Sequence, residues 1–180
     1  MSGAGAVARG RRVALHHPNA RDRDEFLAAV ARSRRLHGSW VAPPADPESF
    51  AAYLLRVRRP DAHGLLVRRT DDGALAGDIT VSQIVMGPFR SAYLGFYAFE
   101  SHAGQGLMHE ALDLTVRWSF RALGLHRLEA NVQPGNAVSI ALVRRCGLRL
   151  EGHSPRYLKV AGRWRDHERW AVTVEDRRRA

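Results

Sequence analysis

Three strand-like segments follow one another in the middle of the chain, and this succession is the feature that most constrains the fold. They read "HGLLVRRT", "ALAGDITVSQIV" and "AYLGFYAFE", with the turns "DDG" and "MGPFRS" between them. Apolar and β-branched segments separated by short glycine-containing turns predict an antiparallel meander. Helical patterns precede and follow the meander, so we expect an α+β domain.

Before the meander, "RVALHH" predicts a short strand, and residues 19–37 predict a helix with acidic residues early and basic residues late. A second helix is expected to begin with Asp46 as its N-cap and Pro47 as its first residue. Its apolar stripe consists of Phe50, Tyr53, Leu54 and Val57.

After the meander, the spacing predicts a long helix from about Leu107 to Leu123, with Asp113 and Arg117 as an i,i+4 ion pair. The alternating segment "HRLEANVQ" then predicts a strand, and Asn136 is expected to cap a short helix that ends near Gly147. A closing hairpin turns at "AGR". We expect a flexible basic N-terminus over residues 1–11, one domain over 12–176 and a basic tail over 177–180.

The chain carries a formal net charge of +10, which would suit an acidic partner such as RNA. Only Lys159 among the 28 basic residues is a lysine, however, and so strong an arginine bias is also typical of genome base composition. No RNA-recognition, KH or helix-turn-helix pattern is present. Contact with RNA or the ribosome is therefore compatible with the charge but not required by it.

Cys146 is the only cysteine, so no intrachain disulfide can form, and we interpret it as a semi-buried thiol at a helix end. The sequence has no apolar run of membrane-spanning length and no secretory signal pattern, and we expect a cytoplasmic protein without membrane contact. Nine histidines are present, but none is spaced with Cys or Asp as metal ligands are, so no metal is expected.

The stretch "AGQGLMHEAL", residues 103–112, places two glycines just before the long helix. It lacks the third glycine of a dinucleotide fingerprint and the Gly-Lys-Ser/Thr of a P-loop. A glycine turn at a helix N-terminus gathers free N–H groups that suit an anion such as a pyrophosphate. Such turns are also common without any ligand, so the stretch taken alone leaves both interpretations open.

The wider pattern resembles the acyl-CoA-binding core of the GNAT acetyltransferase superfamily. The likeness is strong over about residues 90–155, and the family motif Gln/Arg-x-x-Gly-x-Gly/Ala falls on residues 103–108, with Ala103 and Met108 departing from it. The stretches "GQGLMxEAL", "ANVQPGN", "GLRLEG" and "YLKVAGRWRDH" are most similar to the ribosomal-protein alanine N-acetyltransferases. The resemblance implies a GNAT-type fold, with a mixed central sheet of about six to seven strands flanked by about four helices.

The resemblance also implies a set of residues that bind acetyl-CoA. The backbone of residues 105–109 would hold the pyrophosphate, and residues 97–99 would pair with the pantetheine arm and polarise the thioester carbonyl. Asn136 would hydrogen-bond the cofactor, which is compatible with its role as an N-cap. The implied cofactor-binding residues are Tyr97, Ala98, Phe99, Gly104, Gln105, Gly106, Leu107, Met108, His109, Asn136 and Ser139.

Catalytic roles follow from the same resemblance. Ser139 would stabilise the leaving thiolate, with a plain capping serine as the alternative. Several relatives carry a glutamate at the position of Asn131 and a tyrosine at that of Val143, and this chain has neither group. Glu100 and Glu151 are therefore the candidate bases, each acting through water. Because an α-amino group has a pKa of about 7.7–8.0, against about 10.4 for lysine, a site without a strong base favours a protein N-terminus.

The expected activity is therefore acetyl transfer from acetyl-CoA to a primary amine, most like a ribosomal-protein N-terminal α-amino group. Trp40, Tyr157 and Trp164 are candidate walls of the acceptor cleft, with core packing as the alternative. The alternatives are a small-molecule amine acetyltransferase and a non-catalytic module that binds acyl-CoA or RNA on the same fold. The sequence leaves a monomer and a homodimer equally open.

Overall fold

Apolar residues on both sides of the central strands give a sheet that helices cover on both faces at its centre. The computed structural model describes residues 5–178 and contains one sheet with the strand order β1-β2-β3-β4-β5-β6-β8-β7. The strands are β1 (Ala8–Arg9), β2 (Val13–His16), β3 (Ala62–Arg69), β4 (Leu75–Val85), β5 (Ser91–Ala98), β6 (Arg127–Val132), β7 (Arg149–Val160) and β8 (Arg163–Thr173). The α-helices are α1 (Arg23–Arg32), α2 (Arg34–His37), α3 (Pro47–Val57), α4 (Leu107–Arg121), α5 (Ala137–Arg145) and α6 (Val174–Arg178).

The predicted meander is confirmed as β3, β4 and β5, which pair antiparallel in sequence order. Neighbouring strands are antiparallel throughout this sheet except β5 and β6, which α4 connects as a parallel pair. The closing hairpin of β7 and β8 turns at Ala161 and Gly162, both with positive φ. The mixed sheet of an α+β fold is thus present.

Two hydrophobic clusters cover the two faces of the sheet. On the face that we call the α4 face, α4 and α5 pack against residues such as Leu65, Ile79 and Leu128. On the opposite face, which we call the α3 face, α1 and α3 pack against Leu66 and cover mainly β3 and β4. The β5 and β6 half of the α3 face is less covered, since Gly95 is exposed there.

Helix α3 forms as its sequence predicts. Asp46 accepts a hydrogen bond from the Ser49 backbone at 2.7 Å, Pro47 is the first helical residue, and the predicted apolar stripe is buried. Helix α4 ends at Arg121, slightly before the predicted end, and its Asp113–Arg117 ion pair is present at 3.0 Å.

The structure differs from the sequence prediction in three places. The sheet has eight strands rather than six to seven, and six α-helices rather than about four are present in residues 5–178. The predicted first helix breaks at Ser33, whose hydroxyl donates to the Ala29 carbonyl at 2.7 Å and accepts from the Glu100 backbone at 2.9 Å. A tertiary contact therefore ends a helix that the local pattern would continue.

Regular secondary structure also crosses both predicted boundaries of the domain, at residues 11–12 and 176–177. Ala8 and Arg9 pair with Leu15 and Ala14, inside the segment predicted to be flexible, because the β2 edge offers them a partner. Helix α6 extends through the predicted boundary at residue 176. Residues 1–4 and 179–180 lie outside the described residues, and for them the predicted flexibility stays a prediction.

Candidate active site

The parallel pair of β5 and β6 opens into a fork. Pairing runs from Ser91 opposite Arg127 to Leu94 opposite Ala130 and stops there, although β5 continues to Ala98 and β6 to Val132. The Phe99 N–H donates to the Ala76 carbonyl, so by strict alternation the backbone of Tyr97 and Phe99 faces β4. Of the three residues predicted to pair with a pantetheine arm, Ala98 alone presents its N–H to the fork.

A short connection spans the mouth of the fork. His37, at the end of α2, donates from Nε2 to the Ala98 carbonyl at 2.9 Å, and burial lowers the pKa of this histidine. On the other side, the Gln133 amide donates to the carbonyls of Ser39 and Trp40 at 3.2 and 3.3 Å. The connection after α2 is therefore fixed to the ends of both strands.

The glycine turn lies at the same edge of the sheet. Gly104 and Gly106 have φ values of 74° and 75°, a conformation that favours glycine. The first intrahelical bond of α4 runs from the Glu110 N–H to the Gly106 carbonyl, so the preceding N–H groups of the first turn have no helical partner. Together with the turn they form the cradle, residues 104–109, which contains Gln105, Leu107, Met108 and His109; the contacts of these residues with acetyl-CoA stay predictions.

The N-terminal strands hold the cradle from outside. The Arg12 guanidinium donates to the Gln105 carbonyl at 3.0 Å and pairs with Glu110 at 3.2 Å, while the Arg12 backbone N–H donates to the same carboxylate at 2.7 Å. These bonds keep the pKa of Glu110 below its usual range against the opposing effect of burial. Sequence reasoning missed this clamp, because the two residues lie 98 positions apart.

Two further side chains of the cradle make structural contacts. Met108 packs against β4 where Gly77 leaves room for it, since a Cβ at residue 77 would collide with the methionine sulfur. His109 lies 3.2 Å from the Arg145 carbonyl and ties α4 to α5. Glycine at position 77 thus accommodates the methionine that departs from the family motif.

Helix α5 begins beside β6. Asn136 is its N-cap, and its side-chain oxygen accepts from the Ser139 backbone at 3.1 Å. Because this bond uses the Ser139 N–H, it leaves the serine hydroxyl unconstrained, and the side chain is half-buried. The predicted capping role of Asn136 is confirmed; the cofactor contacts of Asn136 and Ser139 stay predictions.

The two candidate bases lie in different places. Glu100 is exposed in the short 3-10 turn directly after β5, near the fork. Glu151 lies on β7, where Arg127 and Arg149 pair with it and lower the pKa of its carboxyl. Arg127 is the first residue of β6, at the end away from the fork. This position and this pairing argue against the predicted role of Glu151 as a base.

A buried carboxylate that the sequence analysis did not single out lies behind the fork. Asp78 on β4 is 2% exposed, accepts from the Tyr53 hydroxyl at 2.5 Å, and sits opposite Tyr97 in the strand register. Burial raises the pKa of Asp78 to about 6, although the Tyr53 bond opposes this shift. No sequence motif includes Asp78, so its burial becomes evident only from the packed sheet.

The α3 face beyond the fork carries what we call the polar wall, Asn131, Arg165, His167 and Arg169. Asn131 and Arg169 are register partners on β6 and β8, and residues 165 and 167 follow on the same face of β8. Within residues 5–178, buried atoms of three members have no hydrogen-bond partner, namely Asn131 Oδ1, Arg165 Nε and Arg169 Nε.

Aromatic residues border the polar wall. Tyr157 lies with its ring 6.3 Å from that of His167, and its hydrogen bond to Tyr93 on β5 raises the pKa of Tyr93 to about 12. Trp40 lies over Gly135, next to the end of β6, whereas Trp164 is 62% exposed near the hairpin turn. Tyr157 therefore lies beside the polar wall and Trp40 near the end of β6, whereas Trp164 stands apart; their role as walls of an acceptor cleft stays a prediction.

The remaining predicted features concern Cys146, metals and membranes. Cys146 lies at the end of α5, as predicted, but it is fully rather than partly buried, and burial raises its pKa to about 12. Over residues 5–178, no group of three His, Cys, Asp or Glu side chains is arranged to hold a metal ion. In the same range, the helices are too short or too polar to cross a bilayer.

Comparisons with known proteins match most of the chain. The model of the GNAT acetyltransferase domain matches residues 12–149. The probable N-acetyltransferase YjcK of Bacillus subtilis is 32% identical over 178 residues, which span 94% of this chain and 98% of that protein. The ribosomal protein uS5-alanine N-acetyltransferase of Escherichia coli is 38% identical over 106 residues, which span 59% of this chain and 55% of that protein.

A solved structure with a similar fold is Mycobacterium smegmatis RimJ in complex with CoA-disulfide. It superposes with a TM-score of 0.84 at 28% identity and covers 91% of this chain and 83% of that one.

Proposed function

The chain belongs to the GNAT acetyltransferase family, and from this premise we propose that it transfers the acetyl group of acetyl-CoA to the α-amino group of a protein N-terminus. The observation that carries the proposal is the alignment of two backbone features at one sheet edge. The fork between β5 and β6 presents the Ala98 N–H, and the cradle gathers the free N–H groups of α4 beside it.

The residues present fit acetyl-CoA. Free N–H groups at a helix N-terminus bind a pyrophosphate, and Gly104 and Gly106 allow its close approach because no side chain projects from them. Ala98 would donate its N–H to the thioester carbonyl, in the manner of an oxyanion hole. Acetyl-CoA supplies the acetyl group as a thioester. RimJ of M. smegmatis, solved with CoA-disulfide, shares this fold at 28% identity and supports the assignment.

The acceptor would arrive over the α3 face. Helices α4 and α5 pack on the opposite face of the fork. On the α3 face, α1 and α3 cover mainly β3 and β4, and a cavity of about 390 Å³ opens beside Gly95. Its lining includes Arg56, Thr80 and Ser82. Gly95 lies on β5 one residue past the last pair with β6, so the cavity adjoins the base of the fork on this face.

The protonation demands of the reaction favour an α-amino acceptor. Such a group has a pKa of about 7.7–8.0, so a useful fraction is neutral near pH 7 without a strong base. Glu100, next to the end of β5, is the proposed proton acceptor through water, and Ser139 would hydrogen-bond the departing thiolate. Asn131 stands where relatives carry a glutamate, so the fork itself offers an amide rather than a carboxylate.

Two measurements test the proposal. We expect calorimetry to show acetyl-CoA binding to the folded protein, and thiol release to occur with peptides that begin with Ala, Ser or Met. Small amines such as spermidine serve as competing acceptors in the same screen. Binding of acetyl-CoA with turnover of small amines alone would reject the protein N-terminus and leave the acetyltransferase reaction in place. A folded sample that binds no acetyl-CoA would reject both.

A further inference from the structure

The polar wall holds hydrogen-bonding groups that the fold leaves unused. Asn131 Oδ1 is a buried acceptor and Arg169 Nε a buried donor, yet these register partners do not satisfy each other, and Arg165 Nε is likewise unpaired within residues 5–178. Buried polar atoms without partners are costly and rare in folded proteins. These three atoms have almost no exposed surface, so a ligand that brings a donor and acceptors would satisfy them once their side chains turn toward it.

The three side chains lie at different distances from the fork, so each would contact a different part of a ligand. Asn131 is the first residue of β6 after pairing with β5 ends at Ala130, so it stands at the base of the fork. Arg169 lies beside it on β8, and Arg165 lies four residues further along the same strand face, a distance of about 13 Å. An extended chain that starts at Asn131 would therefore pass Arg169 and then Arg165.

Charge along this path is positive. Within residues 5–178, Arg165 and Arg169 form no salt bridge, whereas the nearby acid Glu129 is paired with Arg127 at 2.8 Å. On the other side of the opening, Arg56 lies over the Tyr53 ring, and its charge also acts on the buried Asp78 carboxyl, whose pKa it lowers. The whole chain carries a net charge of +10, which adds a long-range attraction for anions.

We propose that Asn131, Arg169 and Arg165 form an acceptor subsite that selects N-termini followed by acidic residues. Asn131 Oδ1 accepts from the α-amino group, and the two guanidinium groups bind carboxylates of the residues that follow. Two cations spread along a strand suit an extended acidic peptide better than a single small carboxylate. This inference rests on the proposed function, because it needs an amine that enters the fork from the α3 face.

The test compares acceptor peptides that differ only in charge. One hexapeptide begins with Ala and continues with Asp and Glu; its partner carries Asn and Gln at the same positions. Since each charge-assisted bond is worth about tenfold in binding, we expect kcat/KM for the acidic peptide to be at least about tenfold higher at low salt. Because the charges are partly exposed, the advantage should shrink as the ionic strength rises.

Variants locate the effect on the wall. In the double variant Arg165→Gln/Arg169→Gln, we expect the preference for the acidic over the amide peptide to fall to within about threefold, because the groups that bind the carboxylates are gone. Arg121→Gln, on the exposed side of α4, is the matched control for lost charge and should retain the preference. Calorimetry of each peptide with the CoA-saturated protein gives a readout that is independent of turnover and should show the same ranking.

Specific outcomes would overturn the inference. Equal turnover of the acidic and amide peptides would reject the subsite while the N-terminal acetyltransferase function stands. A preference that survives in the double variant would place the selecting charges elsewhere. Faster acetylation of free aspartate than of either peptide would replace the acidic peptide by a small amino acid. Absence of turnover with every peptide, despite acetyl-CoA binding, would reject the peptide acceptor and the subsite together.

Discussion

The imidazole of His37 donates from Nε2 to the backbone carbonyl of Ala98 at 2.9 Å, which fixes the end of α2 to the strand that borders the fork. The same ring packs edge-on against Tyr97 at 5.2 Å and contacts Phe99 at 6.2 Å. His37 thus has two separable roles, namely donation of a hydrogen bond and aromatic packing.

Replacement of His37 by Phe separates these roles, because it keeps a ring and removes the donor. A carbonyl left without its donor costs about 1–3 kcal/mol, and we expect the free energy of unfolding to fall by that amount in urea denaturation. His63→Phe is a matched control, since the His63 ring packs with its centroid 5.4 Å from that of Trp118 and, within residues 5–178, makes no hydrogen bond to a backbone carbonyl. Equal stability of the two variants would show that the Ala98 bond contributes nothing.

The buried carboxyl of Asp78 makes stability depend on pH. Burial raises its pKa from 3.8 to about 6, so the native state holds this proton more tightly than the unfolded chain does. As the pH rises from about 4 to about 6, the unfolded chain loses this proton before the native state does. The free energy of unfolding therefore falls, by about 3 kcal/mol in total. Asp78→Asn cannot titrate and keeps an oxygen that accepts from Tyr53.

We therefore expect the unfolding free energy of Asp78→Asn, relative to the natural chain, to increase through this pH range and to level off above it. Chemical denaturation at several pH values measures the difference. The companion change Tyr53→Phe should move the transition to higher pH, because the Tyr53 bond lowers the pKa of Asp78. A constant difference across the range would contradict the raised pKa.

The positive φ of Gly104 predicts a selective effect on the cofactor. Gly104→Ala meets no atom within 4 Å but must hold φ near 74°, which costs about 1–2 kcal/mol for a residue with a Cβ. Gly87→Ala, at φ 73° in the β4–β5 turn, carries the same strain with equally open surroundings. We expect similar losses of stability, with weaker acetyl-CoA binding in Gly104→Ala alone, as measured by calorimetry. Equal acetyl-CoA affinities would mean that the cradle does not bind the pyrophosphate.

Ser139 and Asn136 should respond differently to truncation. Asn136→Ala removes an N-cap and should cost about 1 kcal/mol of stability. Ser139→Ala leaves the capped N–H in place, so its stability and acetyl-CoA affinity should be nearly unchanged while kcat falls about tenfold or more. An unaltered kcat for Ser139→Ala would return this residue to the capping alternative.

Local patterns were sufficient where a structural element depends on its own residues. Asp46 and Pro47 specify the start of α3, and the alternation of Leu128, Ala130 and Val132 specifies β6, because capping and strand periodicity act over a few residues. The break at Ser33 was not predictable in this way, since the Glu100 backbone that bonds its hydroxyl is 67 residues away.

In the candidate site, too, features set by neighbouring residues were predictable and features set by distant contacts were not. The glycine turn and Asn136 belong to a motif and could be named from sequence, whereas Asp78, His37 and the polar wall depend on contacts between elements far apart in the chain. The register of β6 against β8 brings Arg169 beside Asn131, and neither residue carries a local signal of that contact. Likewise, no local pattern indicates that Arg127, 24 residues away, pairs with Glu151.

The clamp between Arg12 and Glu110 gives the amino-terminal strands a part in the assembly of the cofactor site during folding. It closes a loop of 98 residues, and closure over such a separation is entropically unfavourable and slow compared with helix formation. The cradle can therefore adopt its turn early, but its outer support arrives only when β1 and β2 dock on the sheet edge. A chain that lost its first dozen residues would keep the motif and lose the brace that holds it.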